Sequence, residues 1–180
     1  CDSGCDSIDV QYEEWNGMKL VFISQYKYGY FIYEVSDPSN PVLMGYKYFS
    51  DTSTEAWGTA IYDDHVYVAG TFYLDAGNSA DATAITSLLP DCTYSDKNRP
   101  GIAYVDLNQL TANPTSEMVF TYLPRSCGTA MVNDLVIYDS YLITGEKNSY
   151  GMRVFDLTNP SNPTLVHTYT GTDFSSDAWP

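Results

Sequence analysis

GMRVFDLTNPSNPTLVHTY, residues Gly151–Tyr169, opens with a glycine, runs through β-forming residues to Asp156, and reaches a second β-rich run across an Asn-Pro-Ser-Asn-Pro link. Val, Phe, Leu and Tyr suit a pleated, half-buried surface. In the link, Asn159 and Asn162 are side chains that bond the backbone just ahead, while Pro160 and Pro163 restrict φ and withhold a donor. The stretch reads as strand, turn, strand. Its pattern returns twice, in GYFIYEV from Gly29 and GIAYVDL from Gly101, with Glu34, Asp106 and Asp156 in register. The link returns as well, since VSDPSNP at Val35–Pro41 nearly duplicates LTNPSNP at Leu157–Pro163.

A second set of segments precedes these. KLVFIS from Lys19, HVYVAG from His65 and YLITGE from Tyr141 align with one another, and IDVQYEEW, GTAIYDD and DLVIYDS supply a strand before each. PVLMGYKYF from Pro41, EMVFTYL from Glu117 and PTLVHTYT from Pro163 complete each unit. The middle unit carries an insertion of 26 residues, without which the repeat spacing is 46 and 50 residues. That is the period of a propeller blade made of short strands bounded by Gly, Pro, Asn and Asp. No segment has a persuasive helical pattern, the nearest being SADATAITSLL in the insertion. The organisation expected is a tether at 1–7, blade 1 at 8–56, blade 2 at 57–125 with its insertion at 71–100, blade 3 at 126–170, and at 171–180 an assembly tail or the start of a further repeat.

The third unit, with DLVIYDSYLITGE ahead of it, resembles the LVIVD repeat, named for a hydrophobic strand ending in aspartate before an Asn-Pro turn. The first unit matches with Glu34 in the aspartate position, and the second departs in its turn, NQLTANPTS. The resemblance covers about Ile8 to Thr170. It implies an all-β, propeller-like fold and a bacterial or archaeal protein that is exported or held at the cell surface. It brings no shared catalytic residues, and the recurring acids are expected to accept backbone donors within each blade. Three four-stranded blades fall short of the roughly four to eight that close a propeller. The expected ring is therefore incomplete, or completed by a neighbouring chain.

Charge narrows the partners. With 23 acidic and 8 basic residues the formal net charge is −15, which repels nucleic acid and anionic membranes. No apolar run is long enough to span a bilayer, and no stretch with a basic start and an apolar middle reads as a signal peptide. Cys1, Cys5, Cys92 and Cys127 suit an oxidising compartment, with Cys92–Cys127 the favoured pairing because it would pin the insertion to the next blade. Their spacing is poor for zinc. Cys1, followed by a polar DSGCDS tether, also resembles the lipid-bearing first residue of a mature bacterial lipoprotein.

Chemistry-bearing groups are few. His65 and His167 fall in strands, outside any nucleophile elbow or phosphate loop, so no enzyme is expected. Asp75, Asn78 and Asp81 in the insertion offer oxygen ligands for calcium, without EF-hand spacing. Seventeen tyrosines include Tyr26, Tyr28 and Tyr30, whose rings are candidates for stacking on glycans. Pro follows the asparagine in every candidate N-glycosylation sequon, leaving Ser, Thr or Tyr to carry any sugar. The function expected is an extracellular structural subunit of a self-assembling filament, layer or larger surface protein. The alternative is a surface adhesion module that binds glycans or proteins.

Overall fold

In the computed structural model, residues 9–49, 54–72, 101–112, 114–123, 131–146 and 151–169 are described. Each repeat opens with a hairpin whose turn follows from residue type. β1 (Asp9–Trp15) and β2 (Met18–Gln25) are joined by Asn16 and Gly17, at φ of 48° and 77°, the pair that a tight two-residue hairpin favours. β5 (Glu55–Tyr62) turns into β6 (His65–Thr71) at Asp63, φ 53°, and β10 (Val132–Tyr138) into β11 (Tyr141–Glu146) at Asp139, φ 56°. Aspartate tolerates that left-handed region better than most residues.

The third and fourth strands follow in each unit. They are β3 (Gly29–Glu34) with β4 (Val42–Tyr48), β7 (Ile102–Asp106) with β9 (Thr121–Tyr122), and β12 (Gly151–Asp156) with β13 (Thr164–Tyr169). Among the described residues three sheets result, built on the antiparallel orders β1-β2-β3-β4, β5-β6-β7-β9 and β10-β11-β12-β13. These are the three four-stranded blades of a propeller-like, all-β chain. Blades 1 and 3 also share a register shift at equivalent places, Ile32/Tyr33 and Val154/Phe155.

Blade 2 departs from the expected pattern in two ways. EMVFTYL is not one strand: Ser116–Glu117 forms β8, which pairs in parallel with β4 of blade 1, and only Thr121–Tyr122 completes blade 2. NQLTA, read as a turn, forms a short helix, α1 (Asn108–Ala112). The physical reason is burial, because Leu107, Leu110, Met118 and Phe120 on this excursion all enter the core against blade 1.

One alignment also shifts. The carbonyls of Lys19, Asp64 and Ser140 accept the amides of Val35, Leu107 and Leu157, each at 2.8 Å, so these residues are equivalent. Leu20, not Lys19, therefore corresponds to His65 and Tyr141. A slip of one residue moves every side chain of a strand to the other face. In the corrected register Phe22 matches Tyr67 and Ile143, and Ile32 matches Tyr104 and Val154.

With that register each sheet has a leading face, turned toward the preceding blade, and a trailing face, turned toward the next. Blade 1 presents Leu20, Phe22, Tyr30 and Ile32 to the leading side of blade 2, where Val66, Val68, Ala103 and Val105 complete one core. Blade 2 presents Tyr67, Ala69, Ile102 and Tyr104 to the leading side of blade 3, where Leu135, Leu142, Phe155 and Leu157 complete a second. Both faces of blade 2 are covered, which is why all seven residues of β6 are buried.

Candidate interaction surface

The recurring acids build the turns. Glu34 accepts the amide of Ser36 at 2.9 Å, Asp106 that of Asn108 at 2.8 Å, and Asp156 that of Thr158 at 2.7 Å. Each carboxylate thus caps the strand it ends and fixes the direction of the following link. The Thr158 hydroxyl also donates to Asp156, at 2.6 Å, and its hydroxyl and amide hold the Asp156 carboxyl below its ordinary range. Bonds from Ser36 do the same for Glu34.

So aimed, the link of blade 3 reaches back onto the trailing face of blade 2. The Tyr67 hydroxyl donates to the Pro160 carbonyl at 2.9 Å, and the Tyr104 hydroxyl to the Ser161 carbonyl at 2.7 Å. Burial raises the pKa of both phenols, keeping them protonated as donors. Ser161 Oγ meets His65 Nε2 at 3.2 Å, and the His65, Tyr67 and Tyr104 rings contact one another with centroids 5.8–6.5 Å apart. Pro163 is buried beneath this clasp.

The joint between blades 1 and 2 follows the same plan with different parts. The excursion carrying α1 and β8 lands on the trailing side of blade 1, where Thr115 and Met118 donate amides to the carbonyls of Met44 and Tyr46, at 2.8 and 2.7 Å. Trp15 Nε1 reaches Asp64 Oδ1 at 2.7 Å, and the Tyr30 hydroxyl lies 3.1 Å from Thr59 Oγ1. On blade 3 the buried Arg153 guanidinium sits 3.2 Å from the equally buried Glu146 carboxylate, so that each neutralises the other away from water.

Two faces have no such cover among the described residues. On the leading face of blade 1, Val10 is 58% exposed and Tyr12 52% exposed; Val21, Ile23 and Tyr33 are half-buried, and Tyr48 packs edge-on against Phe31. On the trailing face of blade 3, Val136 is 57% and Tyr138 73% exposed, beside Tyr141, Ile143 and Val154. A depression of about 250 Å³ there is bordered by Val136, Ile143, Gly145 and Met152.

The residues singled out in the sequence fare unequally. Tyr30 is removed as a glycan platform, because its ring is fully buried against blade 2. Tyr28 is exposed, whereas Tyr26 stands edge-on to Trp57 with the Lys27 ammonium 5.1 Å above its ring. His65 is buried in the second joint; His167 is exposed and rests against Tyr169. Cys1, Cys5, Cys92, Cys127, Asp75, Asn78 and Asp81 lie outside the described residues. Among the described residues no three His, Cys, Asp or Glu side chains gather as a metal site, and no helix is long and apolar enough to cross a membrane. Sequence reasoning missed Tyr67, Tyr104 and the Arg153–Glu146 pair. The one available signal was a charged residue inside the otherwise apolar strand GMRVFD.

A search of curated proteins returns no match to this chain. The family model described as the LVIVD repeat matches residues 19–47 and 130–171. These segments contain the central strands of blade 1 and nearly all of blade 3, the two units whose Pro-Ser-Asn-Pro links are intact. On this match the chain carries LVIVD-type repeats at residues 19–47 and 130–171, and these segments form strands of the four-stranded sheets of blades 1 and 3.

Proposed function

We propose that this chain is a non-enzymatic, extracellular structural subunit that assembles with its own copies into a surface filament, layer or larger surface protein. The observation that carries the reading is the pair of faces left uncovered among the described residues, one on blade 1 and one on blade 3, both apolar and aromatic. Monomeric proteins rarely leave contiguous surfaces of this kind to water, and such surfaces serve as association sites. Glu34, Asp106 and Asp156 are engaged in turns and His65, Tyr67 and Tyr104 in a joint, which suits a scaffold better than a reaction centre. The family supports a propeller-like architecture and leaves the role to be argued from these surfaces.

Electron microscopy of the native protein, isolated undenatured from its source, tests the reading. Regular filaments or sheets with this chain as the repeating unit are expected. Uniform small particles would overturn it and leave the adhesion alternative, a glycan- or protein-binding module. The exposed rings of Tyr28 and Tyr48 would then be the first surface to probe for saturable sugar binding.

A further inference from the structure

Within the chain, every joint has a trailing face on one blade, and a leading face with its backward-reaching connection on the next. Blade 1 retains the second half of such a joint and blade 3 the first half, neither of them engaged among the described residues. We infer that the trailing face of blade 3 receives the leading face of blade 1, with its Asp37–Pro41 link, from a second copy of this chain. This inference rests on the self-assembly reading and specifies its contact.

Equivalent positions carry the argument. Val66 and Leu142, buried in the two internal joints, correspond to Val21, which is only half-buried; Val105 and Phe155 correspond in the same way to Tyr33. Blade 1 is therefore apolar at positions that are otherwise filled against a preceding blade. The links make the same comparison with nearly identical letters. Pro163 is buried and Pro160 half-buried where Tyr67 and Tyr104 hold the link, whereas their counterparts Pro41 and Pro38 are exposed. Burial here depends on having a blade to land on, not on composition.

The receiving side is matched in position and altered in chemistry. Ile143 and Val154 stand where Tyr67 and Tyr104 stand in blade 2, so the two hydroxyl-to-carbonyl bonds have no counterpart. Tyr141, in the place of His65, is a polar group at the position where the link would land. A joint made this way relies on apolar contact and is more readily reversed than the internal ones. Because the two halves are different surfaces, the contact is head-to-tail, and it generates a closed ring or an open filament according to its rotation.

The test uses the full chain and two single-face variants, Val136→Asp on blade 3 and Tyr12→Asp on blade 1, each checked for folding by circular dichroism. Light scattering and sedimentation should show wild-type assembly and a rise of about tenfold or more in the concentration each variant needs, as for a charge placed at an interface anchor. An equimolar mixture of the two should form dimers and stop, because one intact half-joint remains on each partner. Wild-type protein that stays monomeric overturns the self-assembly reading and this inference together. Wild-type polymers that persist unchanged in either variant overturn the face assignment alone. If a variant fails to fold, a photo-crosslinking phenylalanine at Tyr138 replaces it. Capture of blade 1 peptides from another copy supports the contact, and capture of blade 3 peptides, or none, overturns it.

Discussion

The Tyr67 hydroxyl on blade 2 donates to the Pro160 carbonyl in the link of blade 3, 93 residues away, at 2.9 Å. Tyr104 makes the parallel bond to Ser161 at 2.7 Å. A link that reads as simple turn chemistry is thus also a tether between blades, because its proline-restricted carbonyls project where the neighbouring sheet can meet them.

Tyr67→Phe and Tyr104→Phe should each lower stability by about 0.5–1.5 kcal/mol, the usual net value of one such bond. The rings touch, at 5.8 Å between centroids, so the double variant should not be additive. Urea unfolding of the two single variants and the double variant checks both points.

The Glu146–Arg153 pair should behave as a unit. Arg153→Met leaves a buried carboxylate without its cation and should destabilise the fold by about 3–5 kcal/mol. Combining it with Glu146→Gln should recover much of that loss. Thermal and urea denaturation of the three proteins measures the coupling.

Acid sensitivity follows from the strand-ending acids. Asp156 and Glu34 have folded pKa values held below their ordinary 3.8 and 4.5 by hydrogen bonds from Thr158 and Ser36. A group depressed in the folded state stabilises fully above its unfolded value, and that contribution is lost as pH falls through the folded value. Stability should therefore decline below about pH 4, and Asp156→Asn, which keeps an acceptor but does not titrate, should flatten that decline. Chemical denaturation across acidic pH reads the difference between the two slopes.

Gly29 sits at φ 154° with no room for a side chain, since a Cβ there would collide with the Lys47 carbonyl oxygen of the adjacent strand. Gly29→Ala should force β3 and β4 apart and destabilise blade 1 by more than the roughly 0.4–1 kcal/mol that a Gly-to-Ala exchange gains at a compatible site. Amide hydrogen exchange localised to residues 29–48 is the measurement that separates local opening from global loss.

Ionic strength should favour association. Copies bearing a net charge of −15 repel one another before contact, and salt screens that repulsion without weakening apolar burial. Light scattering of the wild-type chain at rising sodium chloride should show assembly at progressively lower protein concentration. Falling assembly would indicate a joint held by ion pairs instead.

The sequence by itself determined the unit of construction. Alternating β-formers, the glycine before each third strand, the acid that ends it and the Asn-Pro links are local signals. Local hydrogen bonding satisfies the strand-ending acids in the same way in every copy, as Glu34, Asp106 and Asp156 each accept the amide two residues on. Tertiary structure decided which face of each strand meets a neighbour. KLVFIS and LVFISQ are equally plausible partners for HVYVAG by eye, yet the Lys19 carbonyl bonding Val35 selects the second and turns Leu20 and Phe22 inward. Burial likewise drew Leu110 and Met118 into the first joint, breaking EMVFTYL in two and coiling NQLTA into a turn of helix. Those outcomes depend on contacts between residues far apart in the chain, and a repeat pattern carries only the part of the energy that is local.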